Sequence, residues 1–280
     1  MKHPTIFLHI PKAGGTTLRN ILTSQVQENQ FFHLYEDMAT LGQELGLLQN
    51  MSAEEKANLR LVAGHFRFGL HRLFQQPFSY VTFLRNPYKR IVSQYWHIHR
   101  RPKHYLYEQV VGKKLSLEEF ILSGLSIELD NAQTRLIGTD FDQPLPSVGS
   151  ADQAMLDLAK KRLDESFLVV GIQEQFDESL LLIEEKLGLK NVVYERKNVN
   201  QASSSGKSSL SDRELEAIAQ THRLDLELYD YAKNKLASEL EVRPQFFEEG
   251  LKKLESRNQR YIRKVQFSRR ISNLLKKFDR

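Results

Sequence analysis

Lys12, Gly14, Gly15, Thr16 and Thr17 stand within six residues of one another in HIPKAGGTTL (9–18), after the apolar run TIFL and before the helix-like RNILTSQV. That set suits an anion. Glycines let the backbone approach a ligand closely, threonine hydroxyls donate, and Lys12 adds a movable point charge. The first turn of the following helix offers N–H groups without internal partners, at the positive end of the dipole. With the backbone of Ala13 between them, these residues make a cradle of phosphate or sulfate size. The loop is not a Walker A motif. There the lysine follows the glycines and a Ser or Thr follows the lysine to hold magnesium, whereas Lys12 precedes both glycines. It is not G-x-G-x-x-G either. The alternative is an ordinary strand–helix turn with incidental polarity.

A second stretch, FLRNPYKRIVSQY (83–95), repeats the logic. Arg85 ends an apolar run and Ser93 follows about two helical turns later. A guanidinium binds anionic oxygens bidentately and a helical hydroxyl completes the shell. On its own such an arginine can equally form a structural ion pair. Two anion sites at two strand ends point to a ligand with two separated anionic groups. A third run, LRLVAGH (59–65), ends on His65. Imidazole titrates near neutral pH and suits proton removal from a hydroxyl. Among nine histidines a structural role for any one is the competing reading. His9 adjoins the first loop as a supporting group, and His97 and His99 can face an acceptor or solvent.

Positioning these residues needs a sheet. TIFLHI (5–10), FFHLY (31–35), LRLVAGH, SYVTFLR (79–85), SFLVVGI (166–172) and NVVYE (191–195) read as strands. Helical patterns separate them near 16–28, after Pro87, and over 174–187, where Gly188 can stop the helix. Strand–helix alternation implies an α/β fold with parallel pairing, and ligands bind at the carboxyl ends of such strands. Residues 100–165 are helical and less regular, an expected acceptor-side insertion. Ser211 and Glu214 form a capping box that opens a helical extension over 211–280, leaving residues 1–210 as the α/β domain.

Composition bounds the rest. The 280 residues are 40% hydrophobic and 27% charged, enough for a sizeable core. The absence of cysteine excludes disulfides and thiolate chemistry. No apolar run has the length of a membrane span and no signal peptide is visible, so a cytoplasmic location is expected. The net charge of +5 is uneven: residues 251–280 carry a net of +9, which leaves the first 250 at −4. Nucleic acid is therefore not an expected partner of the body. The basic tail has apolar positions at Leu251, Leu254, Tyr261, Ile262, Val265, Ile271, Leu274, Leu275 and Phe278. It can pack that stripe on the body, dock peripherally on an anionic membrane surface or glycan, or bind a partner helix.

Taken together, HIPKAGGTTL resembles the 5′-phosphosulfate motif of sulfotransferases and LRNPYKRIVSQYW their 3′-phosphate motif. The likeness is to carbohydrate sulfotransferases of the heparan sulfate 2-O and 6-O type and their bacterial relatives. AGHFRFG (63–69), DNAQTRLIG (130–138) and FLVVGIQEQFDESLLLIEEKLG (167–188) extend it. The resemblance implies a P-loop-NTPase-like central parallel sheet flanked by helices. It implies 3′-phosphoadenosine 5′-phosphosulfate (PAPS) as sulfuryl donor, with no metal. Lys12, Ala13, Gly14, Gly15, Thr16 and Thr17 then hold the 5′ end, while Arg85 and Ser93 hold the 3′ phosphate. A late loop over 194–207 would supply Arg196 and Lys197. His65 becomes the base and Lys12 the cation on the leaving group. Arg67, Asn131, Gln133, Thr134 and Arg135 become acceptor or nucleotide contacts. Golgi members carry an anchor and disulfides, so a glycan, glycolipid or small metabolite outside that compartment is the expected hydroxyl acceptor. Two rivals stand beside this reading: a nucleotide kinase-like phosphotransferase, and a non-catalytic binder of nucleotide or glycan.

Overall fold

Four-residue apolar runs without a polar break are buried on both faces, which is the pattern of a parallel strand inside an α/β sheet. In the computed structural model, which describes residues 1–35, 41–195 and 210–278, β1 (Thr5–Leu8) and β3 (Leu61–Gly64) have every residue buried. They pair in parallel with β2 (Phe31–Leu34), β4 (Ser79–Leu84) and β5 (Phe167–Ile172), in the order β2-β3-β1-β4-β5. The chain leaves β1 toward β2 on one side and leaves β4 toward β5 on the other. The order therefore reverses at β1/β4, where a crevice opens beyond the strand ends. Thr82 closes the floor of that crevice, its buried hydroxyl donating to the Leu8 carbonyl at 2.8 Å.

Register places the site residues. Leu8 is level with Gly64, and Gly64 with Leu34. The next residue on each strand is therefore aligned across the sheet, giving the row Tyr35, His65, His9. Gly64 makes this close pairing possible, since a Cβ there would lie 1.9 Å from the Leu34 carbonyl oxygen.

Helices α1 (Gly15–Thr23), α2 (Leu41–Asn50) and α3 (Ala53–Asn58) belong to the β1–β3 half. After β4 come α4 (Pro87–His99), a π turn (Glu108–Gly112), α5 (Leu117–Leu122), α6 (Ala132–Gly138) and α7 (Gln153–Glu165). The expected insertion is thus helical, and part of it has a core of its own. Ile91, Tyr95 and Ile98 of α4 pack with Val110, Phe120 and Ile121, and with Ile218 of α9 (Asp212–Thr221). Helix α8 (Phe176–Leu187) ends at Gly188 in a left-handed turn (φ 61°), as its residue type predicts. Ser211 and Glu214 form the expected capping box.

One expectation needs correction. NVVYE (191–195) pairs with no strand. Val192 and Tyr194 are buried, but the Tyr194 amide donates to the Asn258 side chain at 2.9 Å, and the Tyr194 ring packs edge-on against Phe176. A helix side chain has taken the bond that a neighbouring strand would need. The helical extension that begins at Ser211 shares the core of the α/β domain. Leu224, Leu228, Tyr229, Ala232 and Leu236 of α10 (Arg223–Val242) lie in the same hydrophobic cluster as β1, β4 and β5.

The final helix, α11 (Pro244–Phe278), anchors its first half on α8. Leu254 is buried, and Arg257 grips Glu184 with two bonds of 2.6 and 2.7 Å. Further out, Arg269 meets Glu195 at 3.2 Å, while Tyr261, Phe267 and Ile271 are exposed. The Leu274, Leu275 and Phe278 side chains lie outside the described residues. None of the described helices is long and apolar enough to cross a membrane.

If α10 is part of the core, Leu228→Ala, at a fully buried position, should cost about 3 kcal/mol in urea unfolding. A loss below about 1 kcal/mol would mark α10 as a surface attachment.

Candidate active site

At the end of β1 the chain makes two left-handed turns. Lys12 has φ 66° and Gly14, which precedes α1, has φ 81°. Few non-glycine residues adopt the first conformation. Here it accompanies a specific contact, since the Lys12 carbonyl accepts a bond from Arg85 Nη1 at 2.9 Å. No side chain caps α1, and its first turn holds no acidic residue, so its N–H groups and positive dipole end face the loop. A Cβ on Gly14 would come within 2.7 Å of the Gln173 side chain, and one on Gly15 within 2.2 Å of the His9 ring. Both positions are closed to larger residues. Thr16 is exposed, Thr17 is half-buried and Ala13 is buried beneath them.

Charge is concentrated at this point. Burial, followed by the nearby Arg85, Arg100 and Arg101, lowers Lys12 to about 8, with Glu128 opposing the shift. Its ammonium donates to His97 Nδ1 at 3.0 Å. His97 can accept that bond because burial and Lys12 push its own pKa down to about 3. Sequence reasoning left His97 between acceptor and solvent, whereas the structure puts it on Lys12. Ser93 stands one helical turn earlier on α4, on the same face as His97, and is half-buried. Arg85 too is held below its usual value by burial, with Glu174 opposing. Its Nε is buried without a partner.

His65 stands where the strand register predicts. Its ring lies 4.6 Å from that of His9 and 5.1 Å from that of Tyr35, centre to centre. His65 Nδ1 is 2.6 Å from the His9 carbonyl. A carbonyl only accepts, so Nδ1 carries the proton and Nε2 is the basic nitrogen of the neutral ring. His9 is stacked on Phe7 and hydrogen-bonded to the Tyr35 hydroxyl at 3.1 Å. Burial, then the neighbouring His65, lowers its pKa far below the usual value and keeps it neutral. His9 thus touches both Gly15 of the 9–18 loop and the His65 ring. His99 bonds back to the Tyr95 carbonyl at 2.9 Å and takes no visible part.

The expected acceptor contacts lie elsewhere. Arg67 donates to the carbonyls of Phe141, Gln143 and Pro144 at 2.5 to 3.2 Å and holds that loop. Arg135 is buried on Asp130 and on the carbonyls of Pro146 and Ser147. Asn131 caps α10, accepting from the amides of Leu224 and Asp225 at 2.9 and 3.1 Å. Gln133 is fully buried against the Arg85 backbone. The polar groups of Asn131, Gln133 and Arg135 meet protein partners. Arg196 and Lys197 lie outside the described residues. Sequence reasoning did not single out Tyr35, Gln173, Glu174 or Asp225. Tyr35 had a usable signal as the residue just past a strand end, as His9 and His65 are.

Comparison with known proteins gives the family. The profile of the sulfotransferase family matches residues 1–232. Uronyl 2-sulfotransferase of Mus musculus is 26% identical over 86% of this chain and 67% of its own length. Heparin sulfate O-sulfotransferase of Drosophila melanogaster is 23% identical over 94% of this chain and 77% of its own. The Homo sapiens uronyl 2-sulfotransferase is 25% identical, and the chain spans 61% of its length. Among solved structures, mouse sulfotransferase SULT7A1 complexed with PAP aligns at TM-score 0.38 and 12% identity, over 79% of this chain and 64% of that one. That alignment is too loose to carry an argument.

The hydrogen bonds give a spectroscopic prediction. In ring-nitrogen NMR, neutral His65 should be the Nδ1–H tautomer, and His97 should stay unprotonated on titration down to about pH 4, above its value of about 3. A His65 ring protonated on Nε2 alone, or a His97 that titrates near 6.5, would contradict the arrangement.

Proposed function

The chain belongs to the sulfotransferase family, and on that premise we propose that it transfers a sulfuryl group from PAPS to a carbohydrate hydroxyl. The observation that carries the donor assignment is the bond between Arg85 and the Lys12 carbonyl. It makes two strand-end anion sites into one crevice, as a donor charged at both ends requires. The residues present fit such a donor. The Gly14–Gly15 backbone has no room for a side chain, the α1 N-terminus is uncapped by any side chain, and Arg85 Nε is buried and unpartnered. Glu128 and Glu174 offset only part of the desolvation of Lys12 and Arg85, and buried charge is costly; a multiply charged nucleotide lowers that cost. For the acceptor, support comes from the names of the relatives, which act on uronyl and heparin sulfate groups.

Lys12, the Gly14–Gly15 backbone and the two threonines would hold the 5′ end, and Arg85 with Ser93 the 3′ phosphate. When bound, PAPS supplies a sulfuryl group already activated by a phosphate leaving group. The chain contributes position and charge, as in phosphoryl transfer. Lys12 neutralises negative charge on the phosphate oxygens, with His97 holding the ammonium in place. His65 Nε2 takes the acceptor proton, while the His9 carbonyl fixes the ring and stabilises the protonated form through Nδ1–H.

Calorimetry should rank adenosine 3′,5′-bisphosphate above AMP and ATP; a preference for ATP with magnesium would favour a phosphotransferase. Affinity for the bisphosphate should fall as pH rises through about 8, because Lys12 loses its proton there. In Lys12→Arg that slope should vanish, and an unchanged slope would remove Lys12 from the site. Lys12→Ala and His65→Ala should each lower sulfate transfer by about 100-fold or more with the fold intact. Full activity in both would overturn the mechanism.

A further inference from the structure

The motifs that suggest the nucleotide site end well before α10, yet two residues one turn apart on α10 reach the Arg85–Asn86 turn. Asp225 is fully buried. Its Oδ1 accepts from the Thr134 amide at 2.7 Å and the Thr134 hydroxyl at 2.9 Å, and its Oδ2 accepts from the Gln133 amide at 3.1 Å. These bonds fix the first turn of α6. Gln133, held there, meets both polar groups of the Arg85 backbone. Its Oε1 accepts from the Arg85 amide at 2.9 Å and its Nε2 donates to the Arg85 carbonyl at 3.0 Å. A side-chain amide thus supplies the pair of bonds that a further strand would supply, at the residue where β4 has ended.

Tyr229 repeats the device on the next residue. Its hydroxyl donates to Glu174 Oε2 at 3.1 Å, and the Glu174 carboxylate accepts from the Asn86 amide at 3.3 and 3.4 Å. The spacing of 225 and 229 puts both side chains on one face of α10. Two threads, each with one intermediary, therefore run from that face to consecutive backbone positions. The backbone they fix carries the guanidinium that reaches the Lys12 carbonyl.

We propose that Asp225 and Tyr229 are positioning residues for the 3′-phosphate site, setting the aim of Arg85 through Gln133 and Glu174. The inference rests on the reading of Arg85 as the 3′-phosphate ligand. It assigns α10 a part in donor recognition in addition to its part in the core.

The test is the ratio of affinities for adenosine 3′,5′-bisphosphate and AMP, which isolates the 3′ phosphate from everything else the site does. In Asp225→Asn one acceptor oxygen becomes a donor facing backbone N–H groups. That ratio should drop by about tenfold, the worth of one misplaced charged hydrogen bond, while AMP affinity stays within about twofold. Tyr229→Phe should lower it less. Gln133→Met, which keeps the buried volume, should match Asp225→Asn, and the double variant should fall no further than either alone. Should Asp225→Asn not fold, Gln133→Met decides. A lower melting temperature with an unchanged ratio would make these contacts structural only and overturn the inference. A wild-type protein that does not prefer the bisphosphate would overturn the 3′-phosphate reading itself, and this inference with it.

Discussion

Arg85 and Lys12 are like charges held close together in a half-buried crevice, joined through one hydrogen bond from the guanidinium to the Lys12 carbonyl. The proposed donor site is built around that contact. Desolvation lowers the pKa of both groups, and the Arg85 charge lowers Lys12 further, so the protein holds this pair at a cost. Glu128 and Glu174 relieve part of it. The left-handed backbone at Lys12 adds local strain of the kind that persists where surrounding structure over-determines it. The supports are visible: Thr82 ties β1 to β4, Gln133 fixes the Arg85 backbone, and Gln173 covers Gly14. A site so assembled is prepared for negative charge before any arrives.

The acid–base end depends on register. Parallel strands pairing Leu8, Gly64 and Leu34 leave His9, His65 and Tyr35 side by side, and a carbonyl at the right height sets the His65 tautomer. Because His9 also lies against Gly15, the proposed donor loop and the proposed base share one ring. Their spacing is thus fixed by the sheet and not by a mobile segment.

How much of this was legible follows from range. Contacts within a strand–turn–helix unit leave a local pattern. Lys12, Gly14, Gly15, Arg85 and His65 stood out for that reason, as did the Gly188 stop and the Ser211 cap. Five strands were legible because buried parallel strands are unbroken apolar runs. NVVYE has the same composition, but its neighbour is Asn258 on a distant helix, and composition cannot tell a strand partner from a helix side chain. DNAQTRLIG stands out by family resemblance alone, which does not show that Asn131, Gln133 and Arg135 face α10, β4 and a loop. The share of α10 in the core, and its link to Arg85, depend on contacts across about 90 residues of chain that no local pattern records.

The most direct measurement is a crystal structure of the protein with adenosine 3′,5′-bisphosphate. The account predicts the 5′ phosphate on the backbone of Gly14 and Gly15 beside Lys12, and the 3′ phosphate on Arg85 and Ser93. The nucleotide would then span the β1/β4 crevice. A nucleotide bound elsewhere, or held at one end with Arg85 turned away, would contradict it.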